Sequence, residues 1–161
     1  MQIPSLQPSQ IPFYLSSIAS SFHPNERKAL QQSLPQPTMY GYDWQLLSST
    51  RFWTLKESLL KCIGVGIADP SQPLSSYDFS HGQMADNGQL TYFIIDHWVC
   101  LSWIQECEFM VAITIDYPAK VINMDVVKGV DAKNQVTYNI HINGEIIPLS
   151  IQDISCEELL G

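Results

Sequence analysis

The strongest constraint on the fold is a long helical pattern, which runs over residues 43–63 and stops at Gly64. Apolar side chains recur along it at close to the spacing that lines one face of a helix. A glycine after the last apolar residue is typical of a helix end, because it adopts the left-handed conformation without a clash from Cβ. The sequence therefore predicts one long amphipathic helix, whose buried stripe contains Trp44, Leu47, Phe52, Leu55, Leu59 and Ile63.

Shorter patterns precede this helix. Residues 1–12 contain three prolines and predict an extended lead-in. Apolar side chains at helical spacing predict a short helix over 13–22, and Asn25 is a suitable cap for a second helix over 26–32. Residues 33–37 contain two prolines and predict a loop.

Beyond the long helix, the sequence changes to the patterns of β-strands. A turn-rich link over 69–73 leads into these strands, and the Asp-Asn-Gly at 86–88 predicts a hairpin turn between the first two. Asn143 and Gly144 predict a second hairpin near the end of the chain. The strand candidates are residues 77–79, 89–96, 99–105, 109–115, 136–142 and 145–151.

These elements predict an α+β fold, in which helices pack on a small antiparallel sheet. At 161 residues the chain is long enough for one domain with a sizeable core. We expect a lead-in over 1–12, a main domain over 13–127, and a C-terminal extension over 128–161 that contains the second hairpin.

Charge, hydrophobicity and cysteine content restrict the partners of the chain and its location in the cell. Eight basic and sixteen acidic side chains give a net charge of −8, which disfavours nucleic acid and anionic membranes as partners. No apolar run is long enough to span a membrane, and the first residues do not look like a signal peptide. The four cysteines contain no Cys-x-x-Cys pair, which disfavours a zinc site and favours the reduced thiols of a cytoplasmic protein.

Three charged side chains lie near the end of the long helix: Lys56, Glu57 and Lys61. Glu57 and Lys61 are four residues apart, so they project from the same face of the helix, one turn from each other. A carboxylate can hold a divalent cation and an ammonium can meet phosphate oxygens, a combination that suits a ligand with a pyrophosphate. An ordinary exposed ion pair, which contributes only about 0.3–0.5 kcal/mol, would have the same spacing.

The residues around this pair resemble a family signature. Phe52-Trp53-Thr54-x-Lys56-Glu57-Ser58-x-x-Lys61, followed by Gly64-x-Gly66, is similar to the motif of the 4′-phosphopantetheinyl transferases. The tryptophan makes it more similar to the larger, surfactin-synthetase-activating branch. Upstream, the segment from Ser21 and Phe22 to Glu26 resembles the family's Arg-Phe-Phe-x-x-x-Glu segment. The resemblance covers roughly residues 12–127 and only the C-terminal half of a full-length enzyme, so it implies one half of a pseudo-dimer.

This resemblance implies transfer of 4′-phosphopantetheine from coenzyme A to a serine of an acyl or peptidyl carrier protein. That is the holo-acyl-carrier-protein synthase reaction of fatty acid, polyketide and nonribosomal peptide biosynthesis. Glu57 would be a ligand of Mg²⁺, and Lys56 and Lys61 would bind the phosphates of coenzyme A. Glu57 or Lys61, directly or through water, would take the proton of the acceptor serine.

The chain departs from the family at its first metal-binding element, Gly-Ile/Val-Asp-x-Glu. Alignment on Phe22 places Leu6 and Pro8 where its acidic residues should stand, and no Asp or Glu precedes Glu26. A truncated or frameshifted gene, a degenerate paralogue and a self-associating chain would each explain this. A non-catalytic module that binds a carrier protein or a second copy is therefore the alternative function. A free half of a two-half enzyme would also expose an apolar face, which predicts dimers or aggregates.

Overall fold

A computed structural model describes residues 1–32, 41–64, 73–85, 90–105 and 107–149. Within these ranges, three α-helices precede two antiparallel sheets. The predicted α+β class is therefore confirmed. The helices are α1 (Ile11–Ile18), α2 (Pro24–Gln31) and α3 (Trp44–Ile63), and the strands are β1 (Gln83–Ala85), β2 (Leu90–Ile95), β3 (Trp98–Gln105), β4 (Phe109–Asp116), β5 (Met124–Val130), β6 (Val136–Ile142) and β7 (Glu145–Leu149).

The long helix α3 forms where the sequence predicted it. The Asp43 carboxylate caps its first turn by accepting a hydrogen bond from Gln45 N at 2.9 Å. Gly64 ends it with φ of 86° and donates its N–H to Leu60 O at 2.9 Å. Four members of the predicted stripe are buried, whereas Trp44 and Ile63 at the two ends are half-buried; the buried four are Leu47, Phe52, Leu55 and Leu59.

The first sheet has the strand order β1-β2-β3-β4, and all of its pairs are antiparallel. α3 packs on β4 and β3, and the chain start lies beside β4. Ile3 N donates to Glu108 O at 2.8 Å, and Met110 N donates to Met1 O at 2.8 Å. The first three residues of the expected lead-in are thus paired with the edge of the sheet.

The second sheet, β5-β6-β7, covers the other face of the first sheet. Val99 and Leu101 of β3 are completely buried against Ile140 and Ile142 of β6. Side chains alternate along a strand, so Cys100 points to the opposite side and packs under the helices. The result is three layers: helices, a four-stranded sheet and a three-stranded sheet.

Several predicted boundaries are wrong. The first helix begins at Ile11 and ends at Ile18, and a 3₁₀ turn over Ala19–Ser21 follows it. Residues 77–79 do not form a strand, and the first strand is β1. β5 was not predicted, because its alternation is broken by exposed polar residues and a glycine.

The cap of α2 is also different from the prediction. His23, and not Asn25, is the N-cap residue: its Nδ1 accepts a hydrogen bond from Asn25 N at 3.1 Å. Glu26 completes a capping box by accepting a hydrogen bond from His23 N at 2.9 Å. The hairpin at Asn143-Gly144 is confirmed, since both residues have positive φ between β6 and β7.

Some predictions fall on other parts of the chain. The loop over 33–37, Gly66, the link at 69–72 and the turn at 86–88 lie outside the described residues. The division at 1–12, 13–127 and 128–161 stays a prediction. None of the helices in the described ranges is long and apolar enough to cross a lipid bilayer. Cys62 and Cys100 are free thiols, but Cys107 is disulfide-bonded, which contradicts the expectation that all cysteines are reduced.

Candidate functional site

A groove between α3 and the edge strand β4 brings two of the predicted site residues together. We call it the α3–β4 groove. Its volume is about 280 Å³. Among the described residues, it is lined by Met1, Thr54, Glu57, Ser58, Lys61, Met110, Val111 and Ala112.

The groove follows from the packing of α3 on β4. Thr54 contacts Met1, which pairs with Met110, and Ser58 contacts Thr114. Helix and strand therefore run in the same direction. Glu57 and Lys61 lie one helical turn apart on the side of α3 that faces the open edge of the sheet.

The two charged side chains of the groove differ in exposure. Glu57 is half-buried, and Lys61 is exposed. No ion pair joins them within the part of the chain that the structure describes. An ordinary surface ion pair therefore does not explain their spacing, and both groups are available to a ligand.

The hydroxyl groups of the groove wall are already engaged. Thr54 Oγ1 donates to Thr50 O at 2.7 Å, which is a bond along the helix. Ser58 Oγ lies 2.9 Å from Thr114 Oγ1 of β4. Thr114 had no predicted role, because its contact with Ser58 joins residues 56 positions apart and depends on the packing of helix on sheet.

Lys56 does not belong to the groove. Its side chain is fully buried, and its Nζ contacts Glu26 Oε1 at 2.5 Å. It also donates to Leu74 O at 2.8 Å and to Tyr77 O at 2.7 Å. An ammonium has three hydrogen atoms to donate, so these three acceptors leave none for a phosphate. The expected contact between Lys56 and coenzyme A is therefore corrected: in this structure Lys56 joins parts of the fold.

The buried pair connects three segments, and we call it the Glu26–Lys56 anchor. Glu26 Oε2 accepts a hydrogen bond from Phe79 N at 2.8 Å, while its Oε1 accepts from His23 N and from Lys56. Burial lowers the pKa of Lys56, and the Glu26 carboxylate opposes that effect. The anchor holds the start of α2 and residues 74–79 against α3.

The groove contains little that could bind a metal. Glu57 is the single carboxylate among its described lining residues, and the described ranges contain no group of three metal-binding side chains. Mg²⁺ commonly uses one or two carboxylates and completes its octahedron with water and substrate phosphates. Glu57 alone would supply one ligand, so a metal ion in this groove would depend on a substrate pyrophosphate and water for the others. Met1 also lines the groove, whereas the sequence alignment placed Leu6 at the position of the family's aspartate.

Residues 4–114 match the sequence model of the 4′-phosphopantetheinyl transferase superfamily. The chain belongs to this superfamily. No curated protein and no solved structure matches it. The matched range contains α1–α3, the strands β1–β3 and most of β4, with the anchor and every described lining residue of the groove except Met1. The sheet β5-β6-β7 lies beyond that range.

Proposed function

We propose that this phosphopantetheinyl transferase homologue transfers 4′-phosphopantetheine from coenzyme A to a serine of an acyl or peptidyl carrier protein. The observation that carries the proposal is the α3–β4 groove, which presents Glu57 and Lys61 on one side of α3 without pairing them. Superfamily membership supplies the reaction class, and the groove supplies a place for it on this chain.

In the proposed reaction, the acceptor serine oxygen attacks the β-phosphate of coenzyme A. A new P–O bond forms to the serine, and the bond from that phosphorus to 3′,5′-ADP breaks. The serine proton passes to Glu57, directly or through water, and 3′,5′-ADP leaves with the electron pair. Mg²⁺, when bound, would neutralise pyrophosphate charge, which together with positioning is the main source of catalysis in phosphoryl transfer.

The residues of this chain have distinct roles in that scheme. Glu57 would hold the metal ion and receive the proton. The exposed ammonium of Lys61 suits the neutralisation of phosphate oxygens, as a flexible point charge. Lys56 is excluded from phosphate binding by its three buried acceptors.

We further propose that the chain corresponds to the C-terminal half of the larger, surfactin-synthetase-activating type and works in the cytoplasm, where the Cys107 disulfide would be reduced. The motif from Trp53 to Gly66 supports the surfactin-synthetase-activating type. The net charge of the whole chain, −8, supports a partner other than nucleic acid or membrane. Fatty acid, polyketide or nonribosomal peptide biosynthesis would be the pathway. Because Glu57 is the single carboxylate among the described groove residues, we expect weak activity.

The test is incubation of the full chain with Mg²⁺, coenzyme A and an apo carrier protein, followed by mass spectrometry of the carrier. The expected result is a gain of the phosphopantetheine mass, which Glu57→Gln abolishes. Glu108→Gln changes an exposed carboxylate outside the groove and is the matched control. No mass gain at saturating protein would show that the chain is not an active transferase.

The second candidate function is a non-catalytic module that binds a carrier protein or a second copy of itself. The single carboxylate among the groove residues described above favours it, because the family uses a further acidic element. Isothermal titration calorimetry distinguishes the two candidate functions. Binding of coenzyme A that requires Mg²⁺ supports the transferase. Binding of the carrier protein that depends on neither coenzyme A nor Mg²⁺ supports the non-catalytic module.

A further inference from the structure

The outer edge of β4 presents main-chain groups along the α3–β4 groove. Met110 uses both of its outward groups on Met1: its N–H donates to Met1 O, and its C=O accepts from the Met1 nitrogen, each at 2.8 Å. In an antiparallel sheet, every second residue of a strand turns its N–H and C=O to the same side. Ala112 is therefore the next residue of β4 to present both groups on this edge.

Ala112 has no main-chain partner on that edge within the residues that the structure describes. β4 is the last strand of its sheet, and the pairing of the chain start with it ends at Met110. Ala112 is half-buried and lines the groove together with Glu57 and Lys61. Partly covered main-chain groups favour a ligand that offers the matching donor and acceptor. The groove thus contains a strand edge that the proposed reaction does not use.

We infer that Ala112 binds the β-alanine unit of coenzyme A, and that the two pair as opposite residues of a β-sheet do. The inference rests on the proposed function, which supplies coenzyme A as the ligand. The β-alanine unit carries an N–H at one end and a C=O at the other, and it exceeds an amino acid residue by one methylene group. Ala112 N–H donates to this C=O, and Ala112 C=O accepts from this N–H, as when a peptide adds to the edge of a sheet.

Other groups of the groove suit the neighbouring parts of coenzyme A. The pantoate unit, which precedes β-alanine, has two methyl groups, and Met110 and Val111 supply apolar surface for them. The ammonium of Lys61 suits the pyrophosphate beyond the pantoate unit. The groove volume of about 280 Å³ lies at the lower end of the range for ligand pockets, so we expect it to hold the arm and not the whole coenzyme.

Changes in the ligand test this contact without altering the protein. The probes are coenzyme A, 3′,5′-ADP, which lacks the arm, and two coenzyme A analogues, each with a methyl group on one amide nitrogen. Isothermal titration calorimetry with the full chain and Mg²⁺ measures their affinities. Methylation of the β-alanine nitrogen should weaken binding about 3- to 10-fold, as the loss of one hydrogen bond does. Methylation of the cysteamine nitrogen, which has no partner in this pairing, should leave the affinity unchanged and is the matched control.

Ala112→Pro removes part of the same contact from the protein. Proline has no N–H and is tolerated on an edge strand where that group faces outward. We expect this variant to bind coenzyme A about 3- to 10-fold more weakly and 3′,5′-ADP as the original chain does. Ile146→Pro is the matched control, because Ile146 is exposed on the edge strand β7 and lies outside the groove. Thermal unfolding of both variants checks that the fold is kept.

The inference is overturned if coenzyme A methylated on the β-alanine nitrogen binds as tightly as coenzyme A, or if folded Ala112→Pro keeps the full affinity. It is also overturned if coenzyme A binds no more tightly than 3′,5′-ADP, because the arm then contributes nothing. The transfer assay is read separately. Affinities in the expected order without any modified carrier would support the pairing and overturn the transfer reaction. Modified carrier with equal affinities for coenzyme A and both analogues would do the reverse.

Discussion

The Glu26–Lys56 anchor and the α3–β4 groove use the same helix in opposite ways. In the anchor, a carboxylate and an ammonium are fully buried and paired. In the groove, Glu57 is half-buried, Lys61 is exposed, and the two are unpaired. Lys56 and Glu57 are neighbours in sequence, but a step of one residue turns the side chain by about 100° around a helix. One short motif therefore contributes to the fold on one face and to the proposed site on the other.

The largest expected effect tests the anchor. Lys56→Met should lower the free energy of unfolding by about 3–5 kcal/mol, because it leaves the Glu26 carboxylate buried without its partner. Urea unfolding followed by circular dichroism measures this loss. The double variant Lys56→Met with Glu26→Gln should recover part of it, since no charge then stays buried.

Lys61→Met is the matched control for that experiment. It changes the same residue type on the same helix, but at an exposed position, and should alter the free energy of unfolding by about 0.5 kcal/mol or less. If Lys56→Met and Lys61→Met lowered the free energy of unfolding equally, the anchor would contribute no more to stability than the groove does.

The next effect tests the groove. Lys61→Met should weaken coenzyme A binding by about 1.5–3 kcal/mol, or about 10- to 100-fold, if its ammonium donates to a phosphate. Isothermal titration calorimetry in the presence of Mg²⁺ measures it. Rising salt should reduce the difference between the two proteins, because an exposed charge is screened. An unchanged affinity would remove Lys61 from the proposed site.

Much of this architecture could be predicted from the sequence, because local signals set it. Asp43 and Gly64 mark the ends of α3, and Asn143-Gly144 marks a hairpin. Glu57 and Lys61 share a helix face by spacing alone. The buried state of Lys56 could not be predicted, since its acceptors Leu74 O and Tyr77 O are backbone groups from residues 18 and 21 positions away.

Contacts between residues far apart in sequence also explain why the predicted exposed apolar face could not be judged from the sequence. One apolar face of the first sheet carries Val99 and Leu101, but β6 covers it with Ile140 and Ile142. β5 was missed, so a three-stranded cover was not foreseen. The chain also carries more large aromatic residues than one small half-core needs, namely Trp44, Phe52, Trp53, Trp98 and Trp103, and on these the expectation of dimers or aggregates stays a prediction. Light scattering at micromolar concentration tests the prediction, and a stable monomer would contradict it.

The smallest expected effect concerns the anchored segment and the loss of its stability at acidic pH. Asp78 lies within the anchored segment, residues 74–79, and its pKa is lowered from 3.8 to about 2. Burial alone would raise this pKa, but hydrogen bonds from Ser80 and Asn25 and the nearby His23 outweigh it.

Because the folded pKa of Asp78 lies below the unfolded one, the ionised carboxylate stabilises the fold fully above about pH 4, and this contribution disappears as the pH falls to about 2. A shift of this size corresponds to about 1–2 kcal/mol after allowance for partial exposure. Asp78→Asn should therefore flatten the fall in thermal stability between pH 4 and pH 2, with Glu108→Gln, at an exposed position, as the control. Glu57→Gln acts on the groove and should leave that acid slope unchanged. A slope that Asp78→Asn does not alter would show that its hydrogen bonds contribute nothing to holding residues 77–79 against α2.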